Sequence, residues 1–248
     1  MRRTALGALF LALTSALAVL TGCFGEKPTP PPPLEYTLFS PYEGAQVVAI
    51  APAINVSGSK DFDPLVVSDT MFGELQQVGG LTVLPVNKTI AMMQTMKIRS
   101  IDSPETAAKI AAAMHADAIL LISITAYDPY IPPTVGMTVQ LYTVKDPEEA
   151  PVSVVEARRA DGSPLTPPAA PLPGGPSHHL AASISAVFNA SNQTVRQELK
   201  DFAAGRFNYD SQLRDERFIM DSDAYMRFVC HAMVRRLIEV ERDRVAGR

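Results

Sequence analysis

No glycine-rich phosphate-binding loop, no zinc-protease helix motif and no paired-cysteine motif occurs in the 248 residues. The short signatures that state a chemistry are therefore missing. No block of lysine and arginine stands out either. The 22 basic residues face 26 acidic ones, for a formal net charge of −4, which points away from nucleic acid as a partner. Long uninterrupted alternating runs, which a membrane barrel needs in pairs, are also lacking, and this argues against a pore. Cysteine occurs twice, at Cys23 and Cys230. The second sits inside a periodic apolar pattern, where a thiol acts as a small buried hydrophobe.

What is present begins at the amino terminus. Arg2 and Arg3 precede a run from Ala5 to Leu20 that only Gly7, Thr14 and Ser15 interrupt, and Gly22 stands before Cys23. This is the charged, apolar, small-residue order of a secretory signal. The run is shorter than the roughly 20 residues of a membrane-spanning helix and has no basic flank behind it. The stretch Leu20-Thr21-Gly22-Cys23 closely resembles the lipobox of bacterial lipoproteins. That resemblance implies cleavage before Cys23, a diacylglyceryl group on its sulfur and further acylation by a chain such as palmitate. The competing reading is an ordinary signal peptide with an incidental cysteine. With Cys23 lipidated, no intrachain disulfide is possible. Phe24 replaces the aspartate that marks inner-membrane retention in enterobacterial lipoproteins, so the resemblance implies an outer-membrane anchor facing the periplasm.

Lipidation gives the following prolines a purpose. Each buried methylene contributes about 0.8 kcal/mol, so two or three acyl chains anchor stably. From Phe24 to Pro33 the chain is rich in proline and charge; polyproline II at about 3.1 Å per residue makes this a stalk of roughly 30 Å. The organisation expected is a signal over 1–22, a lipidated tether over 23–43, an α/β domain over 44–160, a Pro/Gly-rich insertion over 161–179, and a returning strand with C-terminal helices over 180–248.

Within the mature chain, Gln46 to Ala51 reads as a strand and Asp63-Pro64 as the cap and first position of a helix. Val67, Met71, Leu75 and Val78 follow at helical spacing, and Gly79-Gly80 ends the pattern. "LTVLPV" reads as a second strand, Asn87 as the cap of a helix to about Met96, and Ser103-Pro104-Glu105 as the start of another, with Ala107, Ile110, Ala111 and Met114 on one face. "ADAILLISITAY" is apolar on both faces, as in a strand covered from both sides. Val135 to Thr143 alternates, so Gly136, Thr138, Gln140 and Tyr142 are expected on a wetter face. Val152 to Arg158 reads as an edge strand. "LAASISAVFNAS" reads as a returning strand, with a helix as the alternative. A helix capped by Ser191 or Asn192 then buries Val195, Leu199 and Phe202 and stops at Gly205. A long helix from Ser222 or Asp223 buries Tyr225, Phe228, Val229, Ala232, Met233 and Leu237, with its charged end, "RRLIEVERDRVAGR", projecting into solvent. The predicted fold is an α/β layered sheet of four to six strands with packing helices plus two C-terminal helices.

Taken together, "VAIAP", "LTVLP", "SPETAAKIAAAMHADAILLISI" and "GMTVQLYTV", over Ala45 to Val144, resemble the periplasmic α/β domain of curli-secretion, flagellar outer-membrane and penicillin-binding-protein-activator lipoproteins and of the TolB amino-terminal domain. The resemblance implies a non-catalytic envelope lipoprotein that binds or assembles other envelope proteins, with no cofactor and with homo-oligomerisation open.

Several residues mimic chemistry. Ser57-Gly58-Ser59-Lys60 matches the bare S-x-x-K pattern of serine acyl-enzymes, in which lysine activates a serine one helical turn away. Glycine and the loop context oppose that helix, and no Ser-Asp-Asn or Lys-Thr-Gly partner motif accompanies it. The loop from Asn55 to Asp63 nevertheless leaves a strand at its carboxyl end, where crevices form in α/β sheets. It is thus the best place for the alternative functions, a small-molecule binder or a serine hydrolase. His178-His179 lacks a third metal ligand at a recognisable spacing. Cys230 and His231 are adjacent on a helix and do not face each other. His115 and Asp117 lie at a helix-to-strand junction. The one residue assigned a covalent role is therefore Cys23, the lipidation site.

Overall fold

The computed structural model describes residues 38–144, 153–156 (backbone), 180–204 and 216–247. The strands are β1 (Leu38–Phe39), β2 (Gln46–Ile50), β3 (Ile54–Asn55), β4 (Val78–Gly79), β5 (Leu81–Leu84), β6 (Ala118–Asp128), β7 (Thr134–Thr143), β8 (Ser153–Glu156) and β9 (Leu180–Asn189). The helices are α1 (Pro64–Leu75), α2 (Val86–Thr95), α3 (Pro104–Ala113), α4 (Gln193–Ala204), α5 (Glu216–Met220) and α6 (Ser222–Ala246). The main sheet runs β5-β2-β6-β7-β9-β8, with β3 pairing β6 beyond the end of β2. β5, β2, β3 and β6 are parallel, β7 is antiparallel to both β6 and β9, and β8 lies parallel to β9 at the edge. A separate two-stranded parallel pair joins β1 to β4.

Helices cover both faces of the sheet. On one face Ile50, Leu120, Ile122, Met137, Val139, Ile184 and Phe188 meet Met71 and Leu75 of α1, Leu199 and Phe202 of α4, and Phe228, Met233 and Leu237 of α6. On the other, Ala49, Ile119, Leu121 and Tyr142 meet Met93 of α2 and Ala107, Ile110 and Ala111 of α3. This is why "AILLISI" is apolar throughout: alternate residues enter opposite cores. The aromatic centre of the larger core is Phe228, whose ring lies 5.8 Å from Phe188, 5.7 Å from Phe202 and 5.7 Å from Tyr225.

Local chemistry sets the element ends. Asp63 accepts a hydrogen bond from Leu65 N–H at 2.8 Å, and Ser103 accepts one from Thr106 N–H at 3.2 Å, each with proline at the start of the helix. Asn192 accepts from Thr194 N–H at 2.8 Å ahead of α4. Gly136 faces the bulge in β6, where an added Cβ would stand 2.6 Å from Thr125 Oγ1 and 3.0 Å from Ala126 Cβ. Only glycine fits at that crossing.

The strand reading of 180–189 holds over its helical alternative, as does the edge position of β8. Several expectations are corrected. α1 ends at Leu75, and Val78 belongs to β4, because the apolar spacing that fits one more helical turn fits the start of a strand equally well. Gly80, with φ +85°, makes the turn into β5, and a Cβ there would press to 3.2 Å on Ser40 Cβ. Pro85, not Asn87, caps α2. α6 begins at Ser222 as expected, and Asp221 caps it by accepting from the N–H groups of Asp223 and Ala224. A third, short C-terminal helix, α5, precedes α6.

The expected wetter face of β7 is also buried at Thr138, Gln140 and Tyr142. Thr138 and Ser185 hydroxyls bond across the strands at 2.9 Å, and Tyr142 donates to Gln140 Oε1 at 3.4 Å, so these oxygens find partners without facing water, while Gln140 Nε2 is buried without one. The charged end of α6 projects on one face only: Glu239, Arg242 and Asp243 are exposed, whereas Ile238, Val240, Glu241 and Arg244 are buried.

α6 thereby spans the domain. Its first turn lies beside Tyr127, whose phenol is influenced by Ser222 and Asp223. Near its last turn, Tyr42 donates to Glu241 and accepts from Arg244. At about 1.5 Å per residue along this helix, these two contacts stand roughly 30 Å apart.

Candidate functional site

The loop after β3 is held by its own side chains. Asn55 Nδ2 donates to the Ser59 carbonyl at 2.7 Å, and Asn55 Oδ1 accepts from Ser57 N–H at 3.1 Å and Ser57 Oγ at 2.8 Å. Ser59 N–H reaches Ser57 Oγ at 3.2 Å, and Ser59 Oγ donates to Asp61 Oδ2 at 3.0 Å. These short polar residues replace a backbone ladder with local side-chain bonds. Ser57 Oγ is thus engaged with Asn55 and Ser59, and Lys60 is exposed in a loop rather than one helical turn away from it.

Beyond this network, Phe62 stacks obliquely on Tyr127, ring centroids 4.6 Å apart. The Tyr127 phenol is raised above its ordinary value, first by burial and then by the nearby charges of Asp223 and Asp61, against the lowering effect of Ser222. The loop, the end of β6 and the first turn of α6 therefore meet at one end of the domain. That end exposes large apolar side chains: Tyr130 (78%) and Ile131 (65%) in the β6–β7 turn, Met220 (62%) before α6, Val56 (57%) after β3, and Leu65 and Val66 in the first turn of α1. Scattered single apolar residues are ordinary on a surface, whereas a gathering at one end is not.

A second cluster lies along α6. His231 Nδ1 is 3.2 Å from Oε2 of Glu74, a carboxylate buried under α6. Beside it opens a cleft of about 140 Å³ lined by Glu198, Asp201, Phe202, Phe228, His231, Ala232 and Arg235. Arg236 reaches Glu198 at 3.2 and 3.3 Å and stands 4.8 Å over the Phe188 ring. Cys230 is fully buried, and burial followed by the Glu74 charge pushes its thiol well above the usual range. Among the described residues, no group of three or more His, Cys, Asp or Glu is placed to hold a metal ion, and no helix is long and apolar enough to cross a membrane.

The loop from Asn55 to Asp63 lies at strand carboxyl ends, as its position in the sequence implies, whereas the apolar residues around it carry no signal in the sequence. Only the fold brings Tyr130, Met220 and Leu65 to the same end. Glu74 was legible in part, since it falls three residues after Met71 on the buried stripe of α1. His115, with φ +54°, closes the end of α3, while Asp117 accepts from Val47 N–H at 2.9 Å; both serve the helix-to-strand junction. Cys23, the tether residues before Leu38, the 161–179 insertion and His178-His179 lie outside the described residues.

No family model matches the chain, and no curated protein matches it. Among solved structures it is similar to the lipoprotein GNA1162 of Neisseria meningitidis, at 14% identity and a TM-score of 0.37, over 67% of this chain and 99% of that one. It is similar to the hypothetical protein CT253 of Chlamydia trachomatis, at 10% identity and a TM-score of 0.40, over 83% of this chain and 100% of that one. The LpoB C-terminal domain from Salmonella enterica is a third, at 16% identity and a TM-score of 0.34, over 42% and 75% of the two chains. Of these three, GNA1162 is described as a lipoprotein.

Proposed function

We infer that this protein is a lipid-anchored, non-catalytic module of the bacterial cell envelope that binds another envelope protein through the end carrying Val56, Leu65, Val66, Tyr130, Ile131 and Met220. Cys23 is the lipidation site, and Phe24 following it favours an outer-membrane anchor facing the periplasm. The observation that carries the reading is polarity. Among the described residues, seven of the eight exposed large apolar side chains collect at the amino-terminal end of α6, Phe39 of β1 being the exception, while the chain arriving from the tether joins the fold through β1 and Tyr42 at the other end. A module tethered at one pole presents the opposite pole to partners.

The test joins both halves of the claim. Palmitate labelling should disappear in Cys23→Ser. Tyr130→Asp/Ile131→Asp should still be labelled and should melt as wild type does, yet fail to rescue whatever envelope phenotype deletion of the gene produces. Rescue by that double variant would place the interaction elsewhere, and continued palmitate incorporation into Cys23→Ser would remove the anchor.

A further inference from the structure

The apolar end is also the acidic end. Within the segments 54–66, 127–133 and 216–224 stand Asp61, Asp63, Asp128, Glu216, Asp221 and Asp223, against Lys60 and Arg217. Six carboxylates against two cations make −4 in these segments, equal to the formal charge of the whole chain, so the rest of the molecule is balanced. Helix amino termini oppose this field. Even with about +0.5 for each of α1, α4 and α6 the balance stays negative, and Asp69, Arg196 and Arg227 one turn further on do not reverse it. The aspartates are exposed and close to the apolar groups: Asp61 and Asp223 act on Tyr127, and Asp128 accepts from Tyr130 N–H at 3.0 Å.

We propose that this end is a docking surface for a protein segment that combines apolar side chains with lysine or arginine, and that the carboxylates select it against acidic partners and anionic lipid. This rests on the binding-module reading above and names the chemistry of its partner. Tyr130 and Ile131 on the turn are the apolar anchors, the kind of exposed aromatic and aliphatic group that dominates interface energetics when buried. Asp61, Asp128 and Asp223 supply complementary charge, which steers encounter and repels wrong partners. An anionic bilayer would meet the same carboxylates and be repelled, and a second copy would bring like charge to like charge.

The experiment uses the full chain held in phosphatidylcholine nanodiscs, with two labelled peptides as probes, one alternating leucine with lysine and the other leucine with glutamate. Fluorescence anisotropy should show binding of the lysine peptide alone. Affinity should fall about tenfold or more in Asp61→Asn/Asp128→Asn/Asp223→Asn, in Tyr130→Ser/Ile131→Ser, and in about 0.5 M salt, where screening is nearly complete within a contact distance. The control Asp102→Asn/Glu105→Gln/Asp201→Asn, with the same change of charge elsewhere, should bind as wild type. Equal binding of the glutamate peptide, an equal loss in the control, or co-sedimentation of the nanodiscs with phosphatidylglycerol vesicles would each overturn the proposal. If the peptides fail to discriminate while Tyr130→Asp/Ile131→Asp still abolishes rescue, the charge selection falls and the binding-module reading stands.

Discussion

The end of α6 gives a quantitative test of how the tether side of the domain is built. Glu241 and Arg244 are buried, their side chains 2% and 3% exposed. Arg244 Nη2 donates to Glu241 Oε2 at 2.7 Å, and Nε reaches Oε1 at 3.1 Å and Oε2 at 3.2 Å. Tyr42 completes the set from a position 199 residues away from Glu241, donating to its carboxylate while Arg244 Nη2 approaches the phenol oxygen at 3.4 Å. Arg244→Met keeps most of the apolar stem and removes the charge, leaving Glu241 and Tyr42 without their cation. Removing one partner of a buried pair costs about 3–5 kcal/mol. For a domain of this size each kcal/mol moves Tm by about 2–4 °C, so the variant should melt roughly 6–20 °C below wild type. Glu241→Leu/Arg244→Met should recover most of the loss, because the desolvation cost of both charges disappears with them. The assay is urea or thermal unfolding followed by circular dichroism. A loss under about 1 kcal/mol, the range of exposed ion pairs, would refute the reasoning and mean that the last turn of α6 frays into water.

Three further outcomes follow from the same structure. The Tyr42 phenol is pushed up by burial first and then by Glu241, so the folded state holds its proton where an unfolded tyrosine, near 10, would release it. Its contribution is complete below about pH 10 and lost above it, and Tyr42→Phe should flatten part of the alkaline fall in stability measured by urea midpoints. Cys230 should ignore a thiol reagent in native protein and react at once in denaturant, and prompt native labelling would contradict its burial. Gly136→Ala should destabilise by about 1–3 kcal/mol because its Cβ has no room beside Thr125 and Ala126; an unchanged melt would show that the bulge relaxes freely.

The sequence spelled out elements wherever one residue type had one physical use. Asp63-Pro64 and Ser103-Pro104 begin helices because a short polar acceptor and a missing N–H suit the first turn and little else. The unbroken apolar run of β6 announced two covered faces. Legibility failed where a residue's partner lies far along the chain. Glu241 and Arg244 look like solvated helix surface until Tyr42 closes over them. Thr138 looks like part of a wet face until Ser185, 47 residues on, supplies its bond. The candidate site divides in the same way. The loop from Asn55 to Asp63 declares itself by its Asn, Ser, Gly and Asp content, whereas its apolar surroundings come from three distant segments whose meeting is a property of topology.

The central claim is that the end of the domain holding Tyr130 is its working surface. The most direct measurement places a photo-crosslinking amino acid, one position at a time, at Tyr130, Leu65 and Met220, and at Lys88, Lys109 and His115 away from that end, in the lipidated protein in living cells. One discrete crosslinked envelope protein is expected from the first three positions and none from the other three. Crosslinks to the same protein from Lys88, Lys109 or His115, with none from Tyr130, Leu65 and Met220, would contradict it.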